Sequence, residues 1–107
     1  MLDERIIKQL RDIGDKSEII DTIILFGSRA IGDHQAKSDI DLAFVAPKMT
    51  EGQWAEFTFN LEEQLDTLLK LDLIKYETAS TDLKNIINKT GKQLYSANPS
   101  RSNLKTS

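Results

Sequence analysis

IILFGSRAIGDHQAKSDIDLAFV, residues 23–45, is the stretch whose reading decides the fold. Its first four residues, Ile23-Ile24-Leu25-Phe26, form an apolar run that stops at Gly27-Ser28, as a buried strand does. A polar segment from Arg29 to Ser38 follows. Asp39-Ile40-Asp41-Leu42-Ala43-Phe44-Val45 then reads as a second strand whose first residues are acidic. Side chains two apart on a strand share a face, so Asp39 and Asp41 project together while Ile40 and Leu42 face the other way. Two neighbouring carboxylates repel each other, and the common reason to tolerate this is a hard cation such as Mg2+, which takes oxygen ligands and substrate phosphates. Gly27-Ser28 suits the other end of such a substrate, because glycine lets a phosphate approach the backbone and a helix starting there offers N–H groups. Each half alone has a plainer reading, a turn and a solvated strand end. Their combination, with ten residues between Ser28 and Asp39, does not.

This spacing, Gly27-Ser28, ten residues, Asp39-x-Asp41, resembles the signature of the DNA polymerase beta-type nucleotidyltransferases. Within them the chain is most similar to the minimal nucleotidyltransferase (MNT) group, small prokaryotic proteins often paired with a HEPN-domain partner. The resemblance extends over roughly residues 6–95.

Working outward, the chain predicts an α/β (α+β) nucleotidyltransferase fold, a three-stranded mixed sheet in αβαβαβα order. Leu2, Ile6, Leu10 and Ile13 recur at helical spacing, with Gly14 as the expected stop. Strand one is expected over about 19–26 and a short helix after Gly27, broken near Gly32-Asp33. Pro47 ends strand two, and Thr50-Glu51-Gly52-Gln53 fits a capping box for a long helix whose apolar positions are Trp54, Phe57, Leu61, Leu65 and Leu68. Phe59 falls off that stripe and marks a candidate partner surface. Residues 71–76 read as strand three, and a last helix starts near Ser80 and ends before Gly91. A helical crossover makes strands two and three parallel. The short link between strands one and two permits an antiparallel pair, which brings Gly27-Ser28 and Asp39/Asp41 to one rim. One domain is expected over 1–95, with a disordered Ser/Asn/Lys-rich tail over 96–107.

Composition narrows the classes. There is no cysteine, so disulfides and thiolate metal sites are excluded. No apolar run approaches the ~20 residues of a membrane span and no signal-peptide core is visible, so no membrane role and a cytoplasmic location are expected. With a net charge of −3 and no basic patch, direct nucleic-acid binding is not expected.

A parallel third strand puts Asp72 on the same rim, sharing a face with Ile74, and the resemblance gives this position the third acid. Glu77 and Asp66 are weaker candidates, and His34, the one histidine, is read as a solvated loop residue. The resemblance implies Mg-dependent transfer of a nucleoside monophosphate, AMP from ATP or another NTP, to a hydroxyl of a protein partner. Two Mg2+ ions would be held by Asp39, Asp41 and Asp72, with Asp72 also taking the proton. Gly27, Ser28 and Arg29 would hold the triphosphate, with Lys37 a lesser candidate. The partner implied is a HEPN-domain toxin, to which this chain would be the antitoxin. Two departures from the family pattern, Ile31 in place of a basic residue and Lys75 in place of an acid, bear on phosphate affinity and substrate choice. Two other readings stay open: a nucleotide- and metal-binding module that acts by complex formation alone, and an antibiotic-modifying nucleotidyltransferase.

Overall fold

A computed structural model describes residues 2–33 and 35–97. Helix α1 (Glu4–Lys16) leads into β1 (Thr22–Phe26), the short α2 (Ser28–Ile31), β2 (Ile40–Val45), α3 (Glu51–Gln64), β3 (Leu71–Lys75), α4 (Thr81–Thr90) and β4 (Lys92–Ser96). The strands form one sheet in the order β3-β2-β1-β4. β1 runs antiparallel to β2 and β2 parallel to β3, the two pairings the sequence predicts.

The helix boundaries follow local chemistry. Asp3 caps α1 by accepting from the Arg5 amide, and Ser80 caps α4 by accepting from Leu83. The Thr50–Gln53 capping box is complete in both directions: the Gln53 amide donates to Thr50 Oγ1 and the Thr50 amide to Gln53 Oε1. Strand alternation divides the sheet between two clusters. Ile23, Leu25, Ile40, Leu42 and Phe44 face α1 and α3 in the larger core, where the Phe44 ring meets Trp54 and Phe57 edge-on. The opposite face carries a smaller cluster, in which Phe26 and Ala43 meet Ile87 and Leu83 of α4.

Three expectations are corrected. The sheet has a fourth strand, β4, in which Leu94 is the one buried residue and Lys92 and Gln93 stay in water. It sits at the sheet edge, where short polar strands belong. It is tied by antiparallel pairing to β1 and by Arg11 Nε donating to the Leu94 carbonyl. The ordered chain thus runs past 95, since the Ala97 amide donates to Asp21 O, and the rest of the predicted tail lies outside the described residues. Leu68 leaves the predicted stripe: α3 ends at Gln64, Leu65 is buried at its C-cap, and Leu68 is fully exposed in the following loop. Phe59 is exposed as its position off the stripe predicts.

The third correction concerns Gly14, which does not stop α1. The helix continues to Lys16, and Gly14 is buried inside it because the Tyr95 ring of β4 lies on its α-carbon; an added Cβ would sit 2.6 Å from two ring carbons. At the far end of the sheet Lys75, buried at the end of β3, pairs with Glu77 (3.4 Å), whose Oε1 also accepts from the Ala46 amide. Glu77 therefore ties the strand ends opposite the acidic rim. Asp66, past the end of α3, pairs with Arg5 at 3.2 Å.

The Gly14–Tyr95 contact gives opposite signs in two backgrounds. Alanine in a helix interior is favoured over glycine by about 1 kcal/mol, yet the overlap with the ring costs about 1–3 kcal/mol. Gly14→Ala is expected to lower stability in chemical denaturation of the intact chain. In a Tyr95→Ala background the same change is expected to raise stability by about 1 kcal/mol.

Candidate active site

The three acids meet because of register. Asp41 of β2 pairs across the parallel ladder with Asp72 of β3, and across the antiparallel one with Phe26 of β1. One row of the sheet therefore reads Asp72, Asp41, Phe26, with the Gly27 turn one residue beyond. Asp39 lies two residues earlier, just outside β2, exposed like Asp72, while Asp41 is half-buried. The β2–β3 ladder opens at this rim, where the Ile40 amide donates to Lys70 O at 2.9 Å. Asp41 and Asp72 share the sheet face of Ala43 and Ile74, the face that α4 covers farther along.

Gly27 is fixed by two constraints. Its φ of 74° with ψ of −155° is open to glycine alone, and a Cβ there would overlap the Asp41 carboxylate. The turn thus presses against the central acid. Ser28, half-buried, begins α2, which a left-handed Gly32 ends by donating its amide to Ser28 O.

Electrostatics follow from this packing. The Asp41 carboxyl is raised from 3.8 to about 6, first by burial, then by the Asp72 charge and a hydrogen bond shared with Asp72, then by Asp39; Arg29 opposes the rise. Like charges directly opposite on neighbouring strands destabilise a sheet, so the ionised row holds strain that a cation would relieve. Among the described residues no three His, Cys, Asp or Glu side chains are drawn into a ligating cluster. The donors at the rim are carboxylate oxygens alone, a set that suits a hard divalent ion such as Mg2+.

Arg29, expected on the triphosphate, turns inward. It is 7% exposed; its Nε and Nη2 both donate to Ser38 O, at 3.2 and 3.0 Å, and Nη2 also donates to Ala36 O at 3.2 Å. The sequence carried a signal for this: the loop from Gly32 to Ser38 offers no large apolar side chain to anchor it. Lys37 is exposed in that loop, and His34 lies outside the described residues.

The pKa direction gives a pH-dependent stability. The folded value lies above the unfolded one, so between pH 3.8 and about 6 the folded chain binds more protons. Stability is therefore greatest below this window and falls as pH rises through it. Without divalent ions Asp41→Asn is expected to melt a few degrees above the parent at about pH 7.5, a gain trimmed by solvent screening at this half-exposed group. The gap closes towards pH 4, as differential scanning fluorimetry across pH would read. A variant less stable at neutral pH would mean that the carboxylate itself holds the fold.

Four hollows on the described surface lie elsewhere: beside Lys70 and Leu71, beside Arg5 and Leu68, on α4, and between α1 and α3. None of these four is lined by Asp39, Asp41 or Asp72, and the acidic rim is open. No helix is long and apolar enough to cross a membrane among the described residues.

Comparison with known proteins places the chain in a family. The family model "Polymerase beta, Nucleotidyltransferase" matches residues 8–100. No curated protein matches the sequence. Among solved structures, a toxin–antitoxin crystal structure with AMP-PNP is 33% identical, covering 94% of this chain and 77% of that one, with a TM-score of 0.66. A mutant toxin–antitoxin complex named MntA–HpeT is 34% identical over 97% of this chain and 80% of that one, with a TM-score of 0.65. The tri-AMPylated Shewanella oneidensis HEPN toxin in complex with its MNT antitoxin gives 31% identity, 94% and 73% coverage, and a TM-score of 0.59. The chain belongs to the polymerase beta-type nucleotidyltransferase family, and with these neighbours to its minimal MNT branch.

Proposed function

We propose that this chain is an antitoxin that transfers a nucleoside monophosphate, AMP from ATP, to a hydroxyl of a HEPN-domain partner. The observation that carries the reading is the row of Asp72 and Asp41 against the Gly27-Ser28 turn, with Asp39 two residues away. Support for the product comes from the similar antitoxin whose HEPN toxin is tri-AMPylated, and support for the nucleotide from the AMP-PNP complex.

In this reading the partner's hydroxyl oxygen attacks the α-phosphorus of ATP. The new oxygen–phosphorus bond forms as the bond to the bridging β-phosphate oxygen breaks, and pyrophosphate departs. The hydroxyl proton passes to the Asp72 carboxylate, which is exposed at the rim and open to an acceptor. Gly27 lets the triphosphate come close to the backbone, and Ser28 offers its hydroxyl. Mg2+ held by Asp39, Asp41 and Asp72 would neutralise the phosphates and acidify the attacking hydroxyl. The open rim leaves this chain dependent on another protein to enclose the substrates. That dependence favours a protein acceptor over a small antibiotic.

Intact-mass spectrometry tests the reading. The chain and its HEPN partner, incubated with Mg2+ and each NTP in turn, are expected to show added nucleoside monophosphate on the partner, largest with ATP. The Asp39→Ala/Asp41→Ala double variant is expected to add none while still forming the complex. No added mass in a complex that forms normally would reduce the chain to a binding module.

A further inference from the structure

We infer that Arg29 is a positioning residue: it holds Asp39 in place by clamping the backbone that enters β2, and it does not bind the triphosphate. This inference rests on the proposed role of Asp39 at the acidic rim.

The loop between Gly32 and Asp39 must end with Asp39 beside Asp41; the Asp39–Ile40 peptide is held by the Ile40 amide on Lys70 O, but the Ser38–Asp39 peptide before it lies outside β2 and its ladder. Apolar packing cannot supply one, since Ala36 is its single apolar residue and is exposed. The loop closes on itself near its end. The Gln35 amide donates to Ser38 Oγ at 2.9 Å and the Ser38 amide to Gln35 O at 3.0 Å. This small turn leaves the Ser38 and Ala36 carbonyls directed at α2, and Arg29 receives both. Ser38 O takes two N–H groups of the guanidinium and Ala36 O a third contact. The Ser38 carbonyl belongs to the peptide unit that sets the direction of Asp39.

The side chain is suited to this task and unsuited to the alternative. A planar guanidinium can fork onto one carbonyl and still reach another, whereas a lysine ammonium cannot reproduce the fork. To reach a triphosphate, Arg29 would have to leave a buried position and abandon both carbonyls, each of which would then need a new donor. Its neighbour Ala30 is buried, so α2 cannot rotate to carry Arg29 outward without exposing that contact.

Arg29→Lys keeps the charge and removes the fork, which separates the two roles. Groups that orient a metal-binding side chain typically change metal affinity or activity by about 10–100-fold. Arg29→Lys in the complex with the HEPN partner is expected to lose transfer within that range at saturating ATP. AMP-PNP affinity of the chain without divalent ions, which a direct Arg29–phosphate contact would govern and Asp39 would not, should change less than about threefold by calorimetry, a shift well below one tenfold step. Hydrogen exchange at the amides of residues 36–39 should quicken. A loss of AMP-PNP affinity of about tenfold with exchange unchanged would overturn the inference, and so would a variant indistinguishable from the parent in all three readings. If Arg29→Lys does not fold, the parent chain still decides the matter. With 15N-labelled arginine, the Arg29 Nε–H resonance should stay slow to exchange and unmoved on adding Mg2+ and AMP-PNP, and a large shift would overturn the clamp. The exchange and resonance readings need no transfer, so a chain that never modifies a partner would refute the proposed function without touching the clamp.

Discussion

Two carboxylates held opposite each other on neighbouring parallel strands are the constraint on which the rest of this structure depends. Asp41 and Asp72 occupy paired positions of β2 and β3, and burial first, then the Asp72 charge, move the Asp41 carboxyl up to about 6. Repulsion of this kind would drive an isolated pair of strands apart. It is tolerated because the same strands, one residue to either side, turn Ile40, Leu42, Leu71 and Leu73 into the larger core. Burying one such side chain contributes about 1.5–3 kcal/mol, so a few of them outweigh the repulsion at the rim. The pleat thus lets one strand pair carry a cohesive face and a repulsive one.

The helices are arranged around that division. α1 and α3 cover the cohesive face, and α3 is also the crossover that returns the chain to start β3 beside the start of β2. On the other face α4 packs over Phe26, Ala43 and Ile74 and stops short of the acids. The uncovered remainder is the candidate site. Among the described residues nothing covers Asp39 and Asp72, which stay exposed beyond the end of that packing.

Much of this was legible in the sequence, for identifiable reasons. Strands one to three, the capping box at Thr50 and the cap at Ser80 rest on local signals, apolar alternation and side-chain-to-amide bonds within three residues, and local signals survive folding. The approach of Gly27 to the acids could be expected from topology, since an antiparallel β1–β2 pair leaves one end in common. What escaped was decided by contacts distant in sequence. β4 shows only Leu94 and Tyr95 among polar neighbours, and it is a strand because β1 offers it an edge. Gly14 looks like a helix stop and is instead a seat for the Tyr95 ring 81 residues later. Leu68 continued a helical period, but α3 had already ended; periodicity records where a helix could continue, and the turn into β3 decides where it stops.

Arg29 shows the same principle within the site. Its place directly after Gly27-Ser28 invites a reading as a phosphate ligand, because a cation beside a phosphate-sized turn has an evident use. The competing demand is less visible: the polar loop that leads to Asp39 has no apolar anchor and is held by an internal donor. Ser38 O and Ala36 O are backbone acceptors that any sequence would present there, so they leave no mark in the residue pattern. What does leave a mark is the lack of a large apolar side chain between Gly32 and Asp39, beside a single arginine within reach. Loops are held either by packing or by hydrogen bonds, and in this one, where packing is missing, Arg29 supplies hydrogen bonds to both carbonyls.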